Sequence, residues 1–230
     1  MLKLFKRLQH SIFPCHCVCC GKPTGFEIEV CDKCEQHLYY HTGKVCKGCA
    51  RHISKCECRK MNRLFEGLSA PFEYKDSARK MILRAKNCKD YDAIRFIAKK
   101  MVRATFNVFP DIRFDCVCYV PSQDNETNQS RMIAEYFSKQ TSINLEHLLL
   151  QTGKKEPQHN QPYSMRKHNV AGIYTPAGDI KDKQILLIDD ICTTGATLNE
   201  CTAQLLSKGA KSVHCCVGAI SEYKKRDDNE

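Results

Sequence analysis

Ile185-Leu186-Leu187-Ile188-Asp189-Asp190-Ile191-Cys192-Thr193-Thr194-Gly195-Ala196-Thr197 decides how this 230-residue chain reads. Four consecutive aliphatic residues predict a strand buried on both faces, as in a parallel sheet. Two carboxylates follow where that strand ends, the place where open α/β sheets receive ligands. Small residues then lead into apolar positions at helical spacing. The strand is read over 183–188 and the helix over 196–207, closed by Lys208-Gly209. A further strand over 213–217 completes a βαβ unit, so the sheet is parallel and the fold class is α/β.

The same thirteen residues carry chemistry. The first amides of a helix and its dipole favour a phosphate group. Gly195 lets the backbone come close to the anion, and Ile191 and Ala196 complete the turn. Thr193, Thr194 and Thr197 add hydroxyl donors. Carboxylates beside a phosphate cup make sense for a sugar phosphate: Asp189 and Asp190 accept from vicinal hydroxyls while the turn takes the phosphoryl end. A plain βα turn, with Asp at the helix start and Thr as N-cap, would account for a lone Asp-Asp pair. The full pattern argues for the ligand instead. It is not a Walker A loop, since no Gly-x-x-x-x-Gly-Lys-Ser/Thr is present.

Upstream, 70–74 reads as a strand, 77–86 and 91–108 as amphipathic helices, and 114–120 as a buried strand ending at Pro121. A helix follows over 128–139, then a strand over 143–150, although Leu145, Leu148 and Leu149 also fit a helical turn. Residues 151–169 are polar, contain Gly153, Pro157 and Pro162, and read as a long loop of the kind that is often functional. At the start, Leu2, Phe5, Leu8 and Ile12 fit a short amphipathic helix docked on its own domain. The charged tail 222–230 is expected to fray.

Seventeen cysteines are many, and ten lie at or before Cys58. The first residues lack the apolar core of an export signal, and no apolar run reaches the length of a membrane span. A cytoplasmic location without membrane insertion is therefore expected, where paired cysteines are better read as metal ligands than as disulfides. Cys17-x-x-Cys20, Cys31-x-x-Cys34, Cys46-x-x-Cys49 and Cys56-x-Cys58 supply eight thiolates, enough for two tetrahedral structural zinc sites. Sequential sites are favoured: Cys17, Cys20, Cys31 and Cys34, then Cys46, Cys49, Cys56 and Cys58. Interleaved pairing and iron–sulfur ligation stay open, with Cys15, His16 and Cys19 as spare candidates. The other cysteines, Cys192 apart, read as packing residues. The division is thus a Cys-rich zinc-binding module over 1–60 and an α/β domain over 61–230.

The formal net charge is +10, of which +6 falls in residues 1–60. Eight thiolates on two zinc ions would bring that part to +2, so much of the basicity is an artefact of counting. Lys22, Lys33, Lys44, Lys47, Arg51, Lys55 and Arg59 still surround the sites, as a solvated face or a nucleic-acid contact. Aromatic interleaving for stacking on single strands is thin.

The thirteen-residue segment resembles the 5-phosphoribosyl-1-diphosphate signature of type I phosphoribosyltransferases. Together with the cysteine pairs it resembles the ComF family. Ala78 to Lys86, Tyr119-Val120-Pro121, Asn128-Gln129, and Pro157-Gln158 with Arg166, Asn169, Val170 and Gly172 match further stretches of that family. The resemblance implies a type I phosphoribosyltransferase fold with a small N-terminal zinc module. It implies that Asp189 and Asp190 bind ribose hydroxyls, that Thr193 to Thr197 hold the 5-phosphate, and that Mg2+ bridges ribose and diphosphate oxygens. The reaction would transfer the phosphoribosyl group to an acceptor the sequence leaves open. The alternative is a non-catalytic competence or DNA-processing factor that binds single-stranded DNA or DNA-uptake proteins through the zinc module. One departure bears on turnover: the family's basic loop after Val-Pro is replaced by the shorter stretch Ser122-Gln123-Asp124-Asn125-Glu126-Thr127-Asn128-Gln129, with two acids and no base. Lys154, Lys155, Arg166, Lys167 and His168 are the cations that could neutralise a leaving diphosphate.

Overall fold

The computed structural model describes residues 15–56, 58, 63–87, 90–124, 127–153 and 172–221. The expected helix over 2–12, most of the long loop, Arg166 with its neighbouring cations, and the charged tail lie outside the described residues.

A parallel sheet forms the centre. Its strands are β1 (Gly67–Ser69), β2 (Phe72–Glu73), β3 (Cys116–Tyr119), β6 (Gln184–Cys192) and β7 (Ser212–Ile220), in the order β1-β7-β6-β3 with β2 also on β7. All pairings are parallel. β4 (Leu149–Gln151) and β5 (Tyr174–Pro176) make a separate antiparallel pair. The helices are α1 (Asp32–Glu35), α2 (Asp76–Asn87), α3 (Tyr91–Val108), α4 (Gln129–Thr141) and α5 (Ala196–Ser207).

β6 owes its central place to its continuous apolar run, since residues 185–188 are all fully buried. Alternate side chains serve opposite faces. Leu186 and Ile188 join a core with Met81, Ile82, Phe96, Ile97 and Phe137, and so pack against α2, α3 and α4. Ile185 and Leu187 join a second core with Leu198, Leu205, Leu148 and Tyr174, on the side of α5 and the β4–β5 pair.

The cysteine segment enters both cores. Cys17, Val18, Cys34 and Leu38 belong to the first. Cys49 and Ala50 belong to the second, with Cys46 and Cys58 packed against it. Between them, the chain runs along the outer edge of the sheet: His41 N–H donates to the Pro71 carbonyl (2.9 Å), Glu73 N–H to Tyr39 (3.0 Å) and Leu68 N–H to Lys47 (2.9 Å). Edge groups that could template aggregation are thereby covered.

The structure corrects several strand bounds. The strand read over 70–74 is two short strands, 67–69 and 72–73, interrupted at Ala70-Pro71, because proline cannot donate to the ladder. The strand read over 143–150 begins only at Leu149; before it, Leu145 makes an isolated bridge to Val117. β6 runs past Ile188 to Cys192, so the two aspartates lie within the strand, Asp189 opposite Val217 and Ile191 opposite Ala219.

Candidate functional site

The carboxyl end of β6, the loop after β3 and the first turn of α4 enclose a hollow of about 300 Å³. Asp189 and Asp190 line it, facing Lys86, Ser122, Asn128 and Ser130. Asp189 is nearly buried, and its Oδ1 accepts from the Ser130 hydroxyl (2.8 Å) and from the Asp190 N–H (3.0 Å). Asp190 Oδ1 accepts from the Ile191 N–H at 2.7 Å. Burial pushes the Asp190 carboxyl above the usual carboxylate range, and the Lys86 ammonium and nearby N–H donors pull the other way. A negative charge on Asp190 therefore carries an energetic cost, as is common at functional sites.

The loop and α4 hold that wall in place. Asn128 caps α4, accepting from Arg131 N–H (3.2 Å), while its amide donates to the Val120 carbonyl (3.1 Å). Gln129 donates to the Ile82 carbonyl of α2 (3.2 Å). Its Oε1 is buried with no hydrogen-bond partner among the described residues, and Gln129 lines the hollow. Asp124 also lines the hollow, but its carboxylate accepts from its own loop, from the Thr127 hydroxyl (2.6 Å) and N–H (3.3 Å).

Beyond Cys192 the chain turns into α5. Gly195 sits at the N-cap with φ +78°, a left-handed conformation that favours glycine. The Thr194 hydroxyl accepts from Ala196 N–H at 3.2 Å, so the sequence-level N-cap threonine acts one residue before the cap. Thr193 is exposed; Thr194, Ala196 and Thr197 are half-buried. These turn residues are not walls of the hollow that holds the aspartates. Of the residues singled out in the sequence, the two acids and the threonine turn follow one another at one strand end, and Arg166 lies outside the described residues.

Gly218 of β7 makes room behind this wall. A Cβ there would lie 2.9 Å from the Asp190 carbonyl oxygen and 3.1 Å from Ile97 Cγ2. We expect Gly218→Ala to destabilise the fold by about 1–3 kcal/mol through overpacking. The measurement is the urea midpoint at unchanged m-value.

The eight paired cysteines gather as two sets of four, Cys17, Cys20, Cys31, Cys34 and Cys46, Cys49, Cys56, Cys58, each with its sulfurs within 4.8 Å of one another. Cys15 and Cys19 stand outside both sets. The Sγ–Sγ separations are 3.8 Å for Cys20–Cys31, 3.4 Å for Cys46–Cys58 and 3.8 Å for Cys49–Cys56. Four sulfurs at ~2.3 Å from a zinc ion form a tetrahedron with edges of about 3.8 Å, so the sets fit that metal. Burial opposes the Cys17 thiolate, but N–H donors of Cys31, Cys20 and Cys19 outweigh it and bring that thiol down to about 6. Burial likewise opposes Cys46, and the Gly48 and Cys49 N–H groups bring it down to about 7. Cys34 is pushed up to about 12 by burial and by neighbouring thiols. Each set therefore offers a ready thiolate, Cys17 in the first and Cys46 in the second; metal binding displaces protons from thiol ligands. Gly48 is required at the second knuckle, where a Cβ would fall 2.7 Å from Cys58 Sγ.

Gln129 belongs to the Asn128-Gln129 pair that the sequence singles out. Sequence reasoning missed Ser130, Gly218 and the side-chain role of Arg51. A serine next to that pair, in the first turn of an amphipathic helix, was the available signal for the first. Nothing local marks the other two, since their partners are distant in the chain.

Residues 132–229 match the family model "Phosphoribosyl transferase domain". The chain is 27% identical over 195 residues to competence protein ComFC of Bacillus subtilis (strain 168), covering 79% of both chains. It is 42% identical over 59 residues to the ribose-phosphate pyrophosphokinase of Campylobacter jejuni subsp. jejuni serotype O:2, a match that covers 25% of this chain and 19% of that protein. The chain thus spans about a fifth of the length of that relative. Among solved structures, glutamine phosphoribosylpyrophosphate amidotransferase from B. subtilis, complexed with ADP and GMP, superposes with a TM-score of 0.40 at 21% identity, over 55% of this chain and 26% of that one. The fold is the type I phosphoribosyltransferase fold, a parallel sheet flanked by helices, and the resemblance to the ComF family extends over most of the chain. No helix among the described residues is long and apolar enough to cross a membrane.

Proposed function

We propose that this chain is a phosphoribosyltransferase-like protein that binds 5-phosphoribosyl-1-diphosphate with Mg2+ and passes the phosphoribosyl group to an acceptor nucleophile. The observation that carries the reading is the pair Asp189-Asp190 lining a hollow, with the glycine that caps α5 five residues beyond Asp190. The carboxylates take the ribose hydroxyls, the turn from Thr193 to Thr197 takes the 5-phosphate, and the diphosphate points into the hollow beside Lys86. Magnesium arrives with the substrate and offsets its charge. Lys86 is the one cation among the described walls, and Asp124 is engaged with Thr127. Tight binding with slow transfer is therefore expected, because a leaving diphosphate needs positive partners. Residues 1–60 act as a zinc-held module on the domain formed by 61–230, with zinc structural because each set of four sulfurs closes the coordination shell. Titration calorimetry with 5-phosphoribosyl-1-diphosphate, with and without Mg2+, tests the reading. No binding in either condition overturns it.

A second reading is favoured by one specific observation. Between the cysteine module and α3 lies a groove of about 660 Å³. Lys44, Lys47, Lys100 and Arg103 line it beside Tyr40 and His41, and no carboxylate is among its walls within the described residues. A cationic groove with an aromatic ring suits single-stranded DNA. Charge reversal at the exposed Lys44 and Arg103, Lys44→Glu with Arg103→Glu, is expected to weaken binding of an oligonucleotide at least about tenfold and to lower the salt slope by about two. Fluorescence anisotropy across a salt series reads both. Binding that is equally tight in the reversed variant rejects the groove as a DNA site.

A further inference from the structure

Arg51 follows the second cysteine knuckle and is buried, with 8% of its surface exposed. A buried guanidinium is costly unless its donors are used. Its backbone is fixed to a metal-ligand candidate: Cys46 N–H donates to the Arg51 carbonyl at 2.8 Å, and Ala50 N–H donates to the Cys46 carbonyl at 2.8 Å. Its side chain reaches across the chain and donates from Nη2 to the Ser221 carbonyl, 170 residues away, at 2.9 Å. Ser221 N–H in turn donates to the Cys192 carbonyl at 2.9 Å. Cys192 immediately precedes Thr193, the first residue of the phosphate turn. The guanidinium charge is also felt at the Cys192 thiol, where it opposes the upward push of burial. Cys49, Ala50, Cys192 and Leu198 share one core, so apolar packing follows the same route as the hydrogen bonds.

We propose that Arg51 is a positioning residue that couples the second cysteine cluster to the phosphate turn, so that metal occupancy at that cluster sets the shape of residues 191–197. A knuckle needs no arginine to bind metal. Here the arginine spends its donor on the ends of β6 and β7, where the strands part and the turn begins. With the cluster closed, Arg51 is held by Cys46 and holds Ser221 against Cys192. With the cluster open, the arginine loses its anchor and the turn loses its brace. A planar fork is needed, so lysine should restore the charge without the full brace.

The ligand part of this inference rests on the phosphoribosyl reading; the effect on the turn does not. The experiment uses the full chain loaded with zinc and two variants, Arg51→Ala and Cys56→Ser, the latter altering an exposed ligand of the second cluster. Arg51→Ala is expected to keep the parent's metal content, and Cys56→Ser to lose the metal of one cluster. In both, amide hydrogen exchange over 191–197 should quicken by about tenfold while residues 185–188 of β6 stay protected. Affinity for 5-phosphoribosyl-1-diphosphate with Mg2+ should fall about tenfold in both. Arg51→Lys should lie between Arg51→Ala and the parent. Exchange over 191–197 at the parent rate in either variant overturns the coupling, whatever the ligand does. Metal loss in Arg51→Ala overturns it too, since Arg51 would then serve the cluster alone. Quickened exchange in a chain whose parent does not bind the ligand upholds the coupling and rejects the phosphoribosyl reading.

Discussion

Replacing Asp189 and Asp190 together by asparagine is expected to cost at least about 100-fold in affinity for 5-phosphoribosyl-1-diphosphate while raising the melting temperature of the free protein. The two effects have one cause. A hydrogen bond to a charged group contributes about 1.5–3 kcal/mol, so losing two carboxylate acceptors removes at least about 3 kcal/mol, or about two decades of affinity. The same charge is a liability without ligand. Burial raises the Asp190 carboxyl above its ordinary range. The folded state then holds a proton more readily than the unfolded chain, so stability falls as pH rises from the ordinary carboxylate range through the raised value. Asparagine removes that penalty and can still accept from Ile191 N–H and from Ser130 through its own oxygen. Lys86 is exposed and stays solvated when its partner is neutralised. A gain of a few degrees is expected at neutral pH, since about 1 kcal/mol moves Tm by about 2–4 °C in a chain of this size. Melting curves of parent and variant from pH 4 to 8 should diverge as pH rises and converge at the acid end. A variant that is less stable at pH 8 than the parent contradicts the burial argument; one that binds like the parent removes the carboxylates from the ligand site.

These outcomes bear on what a sequence can disclose. α3 was legible to the residue, 91–108, because eighteen residues of regular amphipathic spacing leave no ambiguity. α5 was legible because a glycine precedes it and Lys208-Gly209 ends it. β6 was read short, since two carboxylates look like a strand end. In the fold, its ladder to β7 continues past them, with Cys192 opposite Ile220, and Gly218 lies against the Asp190 carbonyl. β7 was also cut early, at 217, because Gly218 and Ala219 carry little strand preference. The hollow itself was only half legible. Asp189 and Asp190 are neighbours in the chain, but Ser130 and Lys86 come from helices 59 and 103 residues before Asp189 and share no local pattern with it. The cysteine sets were readable from spacing alone. Their place in two separate cores was not, because ligand spacing says how a metal is held and nothing about what the knuckle packs against.

That placement makes metal removal the other large effect. A detached zinc module would unfold alone on chelation and leave the α/β domain melting as before. Here Cys17, Cys34 and Cys49 are buried inside the cores that contain Met81, Phe96 and Leu187. Without metal, each set crowds four sulfurs within 4.8 Å of one another with no ion to hold them together. The chain from Tyr39 to Lys47 then loses both anchors and frees the edge formed by β1 and β2. Structural zinc supplies about 10–16 kcal/mol of apparent folding energy in isolated zinc-binding peptides, which matches or exceeds the ~5–15 kcal/mol of a typical domain. Stripping both metals should therefore lower the melting temperature of the whole chain by more than about 10 °C and produce aggregates through the exposed edge. Metal analysis, calorimetry and light scattering on the same samples measure this. Single replacements should rank by burial: Cys34→Ser, inside the first core, should destabilise more than Cys56→Ser at the exposed rim of the second set. An apo chain whose main transition stays at the parent temperature would mean that the cysteine segment rests on the sheet without supporting it, and the shared cores would then be contact without consequence.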